Sequence, residues 1–371
     1  MKKYLITGLF VTGLLFLSIN CEPSGRALSH DDAFLGEKPP TISAANLKAT
    51  TIAATPNVAL GHRNVLWCGT FQLAWNEACA LIGGDLHFAP DSPLVADLNK
   101  KAFTTNDLDA ASYVALAGFV KDGIHEKIHR ALDQKFRGSA VPELIPEKTL
   151  WTRPQDIVAY AYLFKNLEFE VPFEHLPDLL NFRGQTAPTF GMGAFTNGHA
   201  QMASQVMILD YAGPEDFVIE LKTKSAEERL ILAKIQPKTT LDETIEVVES
   251  RSATAQPKAA LPGDELAIPK FNFDLIRNYD ELEGAALVTH NPNVAKDLLL
   301  KSAMQDIRFQ MDEKGVRLKS EAHISIGCAA RPEPTHSMIF DKPFLLLLKR
   351  SNAGHPYFAM WISNGELFAS P

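Results

Sequence analysis

His125-Glu126-Lys127-Ile128-His129 matches the H-E-x-x-H pattern. On a helix, histidines four apart face the same way. Both imidazoles could then hold a Zn²⁺ ion while Glu126 polarises a bound water. The five residues lie inside a stretch with helical periodicity, which is the context such chemistry needs. Three features oppose that reading. Lys127 and Arg130 put charge where a zinc-peptidase helix is usually apolar. Ile124, Ile128 and Leu132 define a buried face about 100° away from the histidines. A third ligand would have to be Glu143 or Glu147, in a loop that carries Pro142 and Pro146. A surface helix that happens to bear two histidines is the plainer account.

The other reactive side chains are less pointed. Glu321 and His323 alternate with Lys319 and read as the solvated face of a strand. Asp280, Glu281 and Glu283 read as a polar helix end. His199 closes a Gly-bearing connection, Gly191–His199, that suits either a mobile binding loop or an ordinary link. Cys328 is either a reactive thiol or, like Cys68 and Cys79, a small buried hydrophobe. No Ser/His/Asp arrangement, Gly-rich nucleotide loop, CxxC pair or internal repeat is present, so no cofactor is implied.

The chain has 371 residues, 46% of them hydrophobic, enough for a large core. Its net charge is −8, or −10 once Lys2 and Lys3 are removed. That balance argues against nucleic acid and against electrostatic attraction to anionic lipid. Lys2-Lys3 followed by the apolar run Leu5–Ile19 has the form of an export signal, and the run is short for a stable membrane span. Leu17-Ser18-Ile19-Asn20-Cys21 resembles a bacterial lipobox, which would make Cys21 a lipidated N-terminus. Asn20 departs from the usual small residue there, a departure that spirochaete lipoboxes tolerate. An ordinary secretory signal with a chance cysteine, or an uncleaved helix, are the alternatives. Glu22 to about Pro56 is rich in Pro, Ser, Thr and Ala without periodicity and reads as a tether.

Asn64–Ile82 has helical spacing and ends at Gly83-Gly84, so a single buried helix is expected there. Eleven residues along that helix, Cys68 and Cys79 would be about 16 Å apart, too far for a disulfide. Leu94–Leu98 and the long stretch Asp107–Phe136 are also expected to be helices. Ile157–Phe164 is a long buried strand or helix, Leu167–Val171 alternates, and beyond them the pattern turns to strands. Val206–Leu209 and Phe217–Leu221 form a hairpin, and Arg229–Ile235, Ile307–Met311 and Gly315–Ile326 are strands. Thr239–Ser250 is a helix with a capping box through Glu243. Phe344–Leu348 and Tyr357–Ile362, around the Ser351–Gly354 turn, form a buried C-terminal hairpin.

Several of these segments, in order, resemble the serpins. The C-terminal hairpin is similar to the one that ends that family. Tyr160–Lys165 with Pro172-Phe173, the Tyr211/Gly213 hairpin, and Ile268-Pro269-Lys270-Phe271 followed by Tyr279-Asp280 are similar to further serpin segments. Asn64-Val65 fits the family's opening, although Cys68-Gly69 stands where serpins have Ser-Pro and the Trp of the Tyr160 segment is absent. The resemblance spans Gln155–Phe368 and is poorer before it. It implies an exposed reactive loop that, once cut, inserts as a strand into the main sheet and traps a protease. With a strand ending at Ile326, the loop would be Gly327–Ile339, thirteen residues, reaching about 43–47 Å when extended. Gly327, Cys328, Ala329, Ala330, Arg331 and Pro332 would form this short equivalent. Its prolines cannot donate to a central ladder, and the family's acidic hinge residues are missing.

The expectation is therefore an α+β, serpin-like fold, with helices mainly in the first half and antiparallel sheets in the second. Residues 1–20 would be a signal, 21–61 a lipidated tether and 62–371 one domain. The expected function is a non-enzymatic, exported lipoprotein that binds a protein or a small ligand. Its contact with the membrane would be through the lipid anchor only, and it would have no nucleic acid partner. A serpin-type inhibitor whose partner is a protease is the first alternative. A zinc peptidase using His125, Glu126 and His129 is the second.

Overall fold

The computed structural model describes residues 39–136, 153–193, 199–295, 297–316 and 335–370. Along the chain come β1 (Thr41–Ser43), β2 (Thr50–Ala53), β3 (Asn64–Cys68), α1 (Thr70–Ile82), β4 (His87–Ala89), α2 (Pro93–Leu98), β5 (Tyr113–Phe119) and α3 (Ile124–Phe136). Next are β6 (Ile157–Leu163), β7 (Leu167–Glu168), β8 (Glu174–Phe182), β9 (Gln185–Met192) and α4 (His199–Ser204). They are followed by β10 (Val206–Gly213), β11 (Asp216–Leu221), β12 (Glu228–Lys234), α5 (Leu241–Ala253), β13 (Lys258–Ala259), β14 (Glu265–Pro269), β15 (Phe271–Asn278) and β16 (Ala286–Val288). The last strands are β17 (Met304–Met311), β18 (Gly315–Val316), β19 (Ser337–Ile339), β20 (Phe344–Arg350) and β21 (Phe358–Ile362).

Eight strands form the largest sheet, in the order β13-β10-β11-β12-β20-β21-β3-β2. The expected C-terminal hairpin sits in its middle, between β12 and β3. Phe344–Leu348 is at most 4% exposed at every position, as an apolar run covered on both faces requires. Each such side chain contributes about 1.5–3 kcal/mol on burial. The expected hairpin of β10 and β11 and the strand β12 are present. So is the capping box: Glu243 N donates to Thr240 Oγ1 at 3.2 Å, and Thr240 N donates to the Glu243 carboxylate. A second sheet has the order β19-β14-β9-β8, a third β1-β15-β17, and β5 pairs with β6.

Three expectations are corrected. Asn64–Cys68 is a strand, and only Thr70–Ile82 is helical. Val65, Leu66, Trp67 and Cys68 form an unbroken buried run, a pattern that suits helix and doubly covered strand alike; pairing with β2 and β21 decides it. Likewise Tyr113–Phe119 is a strand, and the helix begins only at Ile124. The continuous register with β6, from Tyr113↔Leu163 to Phe119↔Ile157, overrides the helical preference of its Ala and Leu residues. The tether extends less far than expected. Thr41–Ser43 pairs in parallel with β15, and Thr50–Ala53 pairs in parallel with β3. Ile52 is 1% exposed, so this stretch belongs to the core. Residues 21–38 lie outside the described residues. Helices α1–α3 fall in the first half as expected, but strands run through both halves. Cys68 and Cys79 are free and buried.

Candidate functional site

Among the described residues β6 pairs only with β5, and β17 pairs in register only with β15. The two strands instead border a cleft of about 420 Å³, a size suited to a small organic ligand. Alternation along β6 explains its walls. Ile157 and Ala159 pack toward α1, and Ala161 and Leu163 toward the main core. Val158 and Tyr160 turn the other way, onto Ile124, Ile128 and Leu132 of α3. On β17, Ile307 and Phe309 join the main core. Phe71, Ala74, Trp75 and Ala78 of α1 also line the space. Small side chains at Ala74, Ala78, Ala159, Ala161 and Ala303 leave it unfilled.

Polar groups mark this cleft too. Gln305, 2% exposed, ties β17 down: its Nε2 donates to Cys68 O and to Thr70 Oγ1, both at 2.9 Å, and its Oε1 accepts from Tyr279 OH at 2.8 Å. Gln310 Oε1 and Arg308 Nη2 are buried without a hydrogen-bond partner among the described residues, an unusual state for such groups. At one end Asp156, its side chain 2% exposed, pairs with Lys301 at 2.6 Å and Arg153 at 3.2 Å. Burial opposes its ionisation, but these two cations hold its carboxyl below the usual range. Toward the other end Lys165 pairs with Glu228 and lies 5.3 Å from the Tyr357 ring. There Gly315–Val316 pairs with Leu167–Glu168, joining the β17 and β6 sides.

The two H-E-x-x-H histidines have different surroundings. His125 is buried at 6% exposure with Ile124, Ile128 and Leu132, whereas His129 is exposed. Among the described residues no three His, Cys, Asp or Glu side chains cluster as metal ligands. Glu143 and Glu147 lie outside the described residues. So do Cys21, Glu321, His323 and the short-loop candidates Gly327, Cys328, Ala329, Ala330, Arg331 and Pro332. His199 starts α4, is buried, and accepts from Gly263 N through Nδ1 at 3.4 Å. The loop boundaries need revision. Of the expected strand Gly315–Ile326 only Gly315–Val316 is described, and Ser337–Ile339 is a strand parallel to β14 rather than loop. Twenty residues, 317–336, separate these two strands.

The cleft residues Gln305, Arg308 and Gln310 were not singled out from the sequence. Their signal is three polar residues on a strand rich in apolar ones, which reads equally well as a solvated face.

No family model and no curated protein matches the chain. Among solved structures it is similar to Serpin48, a highly specific serpin of the insect Tenebrio molitor, at 15% identity and a TM-score of 0.40. That match covers 66% of this chain and 65% of the other, so the chain spans just under two thirds of that serpin. It is also similar to thyroxine-binding globulin in complex with thyroxine, at 12% identity and a TM-score of 0.44, over 82% of this chain and 93% of the other. The described residues themselves form an α+β fold of mixed sheets and helices.

Proposed function

We propose that this chain is an exported, lipid-anchored binding protein without catalytic function, and that the cleft between β6 and β17 is its binding site. The cleft carries the reading. It combines an apolar interior, built by small side chains and α1, with two buried polar atoms, on Arg308 and Gln310, that have no partner among the described residues. Such a site suits an extended, partly apolar ligand that offers hydrogen-bonding groups at one side. The signal at 1–20 and lipidation at Cys21 belong to the same proposal.

The test uses the exported chain and its Ala161→Trp variant, which fills the cleft. Trp75 lines the space, so its fluorescence reports occupancy. A panel of amphipathic small molecules and extended peptides is titrated against both. Saturable quenching in the parent chain that Ala161→Trp abolishes supports the reading. Binding unchanged by that variant places the ligand elsewhere and removes the cleft from the argument. Metabolic labelling with a radioactive fatty acid, lost in Cys21→Ser, tests the anchor.

One observation favours a second reading, protease inhibition. Residues 317–336 span about 66 Å when extended, well beyond the thirteen-residue loop. A segment that long can fill a strand beside the eight residues of β17 and still present a bond outside it. An SDS-stable adduct with a serine or cysteine protease would establish this reading; simple cleavage without an adduct would leave the binding protein.

A further inference from the structure

The two buried polar atoms that lack partners in the cleft lie on one face of β17. Side chains alternate along the strand, so Ile307 and Phe309 enter the main core while Arg308 and Gln310 point to the opposite face. Both line the cleft. Gln310 is 6% exposed, and nothing among the described residues bonds its Oε1; Arg308 is half-buried, and its Nη2 is likewise unbonded. Phe71, Ala74, Trp75 and Ala78 of α1 give the cleft an apolar wall. It is thus polar on the β17 side and apolar on the α1 side.

The charges around Arg308 leave its guanidinium an acceptor short. Asp274 stands directly opposite on β15, and Asp306 is two residues before it on β17. Asp274 accepts from Thr41 Oγ1, neither acid is without a partner, and neither supplies an acceptor for Arg308 Nη2. The lysines that line the cleft are engaged, Lys165 by Glu228 and Lys301 by Asp156. A buried guanidinium N–H without an acceptor is costly, and a planar carboxylate fits its fork. Two acids so close disfavour a headgroup of higher charge, such as a phosphate monoester at about −1.5 to −2. At one end of the cleft Phe169 N donates to Lys314 O at 3.0 Å. Gly315, with φ 130° and a Cβ position 2.2 Å from Leu167 O, rests there directly on the backbone of β7. That closure, and a volume of about 420 Å³, suit a small molecule rather than a polymer passing through.

We propose that Arg308 anchors the headgroup of a small amphipathic monocarboxylic acid. The carboxylate takes the Arg308 guanidinium, a hydroxyl close to it donates to Gln310 Oε1, and the apolar tail lies along α1. Two residues apart on a strand is about 7 Å, so the hydroxyl belongs within a few bonds of the carboxylate. This inference rests on the cleft being the binding site.

The test titrates the whole protein calorimetrically at neutral pH with octanoate, 3-hydroxyoctanoate, 1-octanol and octyl phosphate, which share a tail and differ in headgroup. Octanoate should bind at least about tenfold more tightly than the alcohol, and more tightly than the phosphate ester. The 3-hydroxy acid should bind more tightly still, an advantage that Gln310→Leu removes. Arg308→Gln should weaken octanoate about ten- to a hundredfold, the range of a charge-assisted hydrogen bond, and change 1-octanol by less than about twofold. The unchanged alcohol also shows that the variant is folded. Arg308→Lys keeps the charge without the fork and should recover only part of the loss. Octanoate binding that Ala161→Trp abolishes but Arg308→Gln leaves intact overturns the anchor and keeps the cleft as the site. Octanoate binding that Ala161→Trp leaves intact overturns the cleft and the anchor together. A phosphate ester that binds as tightly as octanoate overturns the choice of acid, and no octanoate binding up to about 1 mM overturns the proposal outright.

Discussion

Replacing Gln305 by leucine should cost about 2–4 kcal/mol, although the volume is nearly kept and the new side chain is more apolar. The reason lies in what is left behind. Gln305 makes three hydrogen bonds at 2% exposure, to Cys68 O, Thr70 Oγ1 and Tyr279 OH. Leucine satisfies none of them, and Tyr279 is itself only 1% exposed. An orphaned buried polar group costs about 1–3 kcal/mol, more than the net worth of the bond it made. Tyr279→Phe removes the opposite partner and should cost about 1–2 kcal/mol by the same rule. With both replaced, the Gln305–Tyr279 bond and both of its orphans vanish together. The double variant should therefore be less destabilised than the sum of the single ones, by about 1 kcal/mol. Urea unfolding of the four proteins, followed by tryptophan fluorescence, measures this cycle. Additivity within about 0.3 kcal/mol would show that the two side chains do not depend on each other, and the account of the Gln305–Tyr279 bond as part of what holds β17 would fail.

Further outcomes follow from other contacts. Lys165→Met should cost about 3–5 kcal/mol in a melting or denaturant assay, because it strands Glu228 at 5% side-chain exposure; Lys165→Met with Glu228→Leu should recover most of that. Gly315→Ala should abolish protection of the Phe169 amide in hydrogen exchange while leaving the large sheet intact, since its methyl group would overlap Leu167 O. Burial pushes the Cys68 and Cys79 thiols up from their ordinary values. Peptide mapping after iodoacetamide at pH 7.5 should find both unmodified in the folded protein and alkylated after denaturation.

Where one local pattern determined the outcome, the sequence was legible. The Thr240/Glu243 capping box, the hairpin with its turn within Ala212–Glu215 and the leucine run of β20 each carry their own signal, and each is present. The failures came where a partner distant in sequence decides. Val65–Cys68 becomes a strand because Phe358–Trp361 lies beside it, nearly three hundred residues later. Ala115–Gly118 becomes one because Val158–Ala161 does. Ile52 looked like part of a tether because its two short strands have no periodicity of their own. The cleft was invisible for a related reason: it is the space between two strands, and no residue's type announces what it fails to touch. Ala159 and Ala161 matter by being small, and small residues on a strand look unremarkable in a sequence.

The middle of the largest sheet is built from strands that come far along the sequence, β20 and β21. β20 and β21 stand between β12 and β3, so β3 has no antiparallel neighbour until residues 358–361 have emerged. Contacts of this sequence separation make for slow folding, because a very long loop must close before any of the pairing is gained. A nascent chain that has not yet made residues 344–362 would leave the β3 and β12 edges exposed, an aggregation-prone intermediate. The topology itself postpones completion of the core until residues 358–362 are in place.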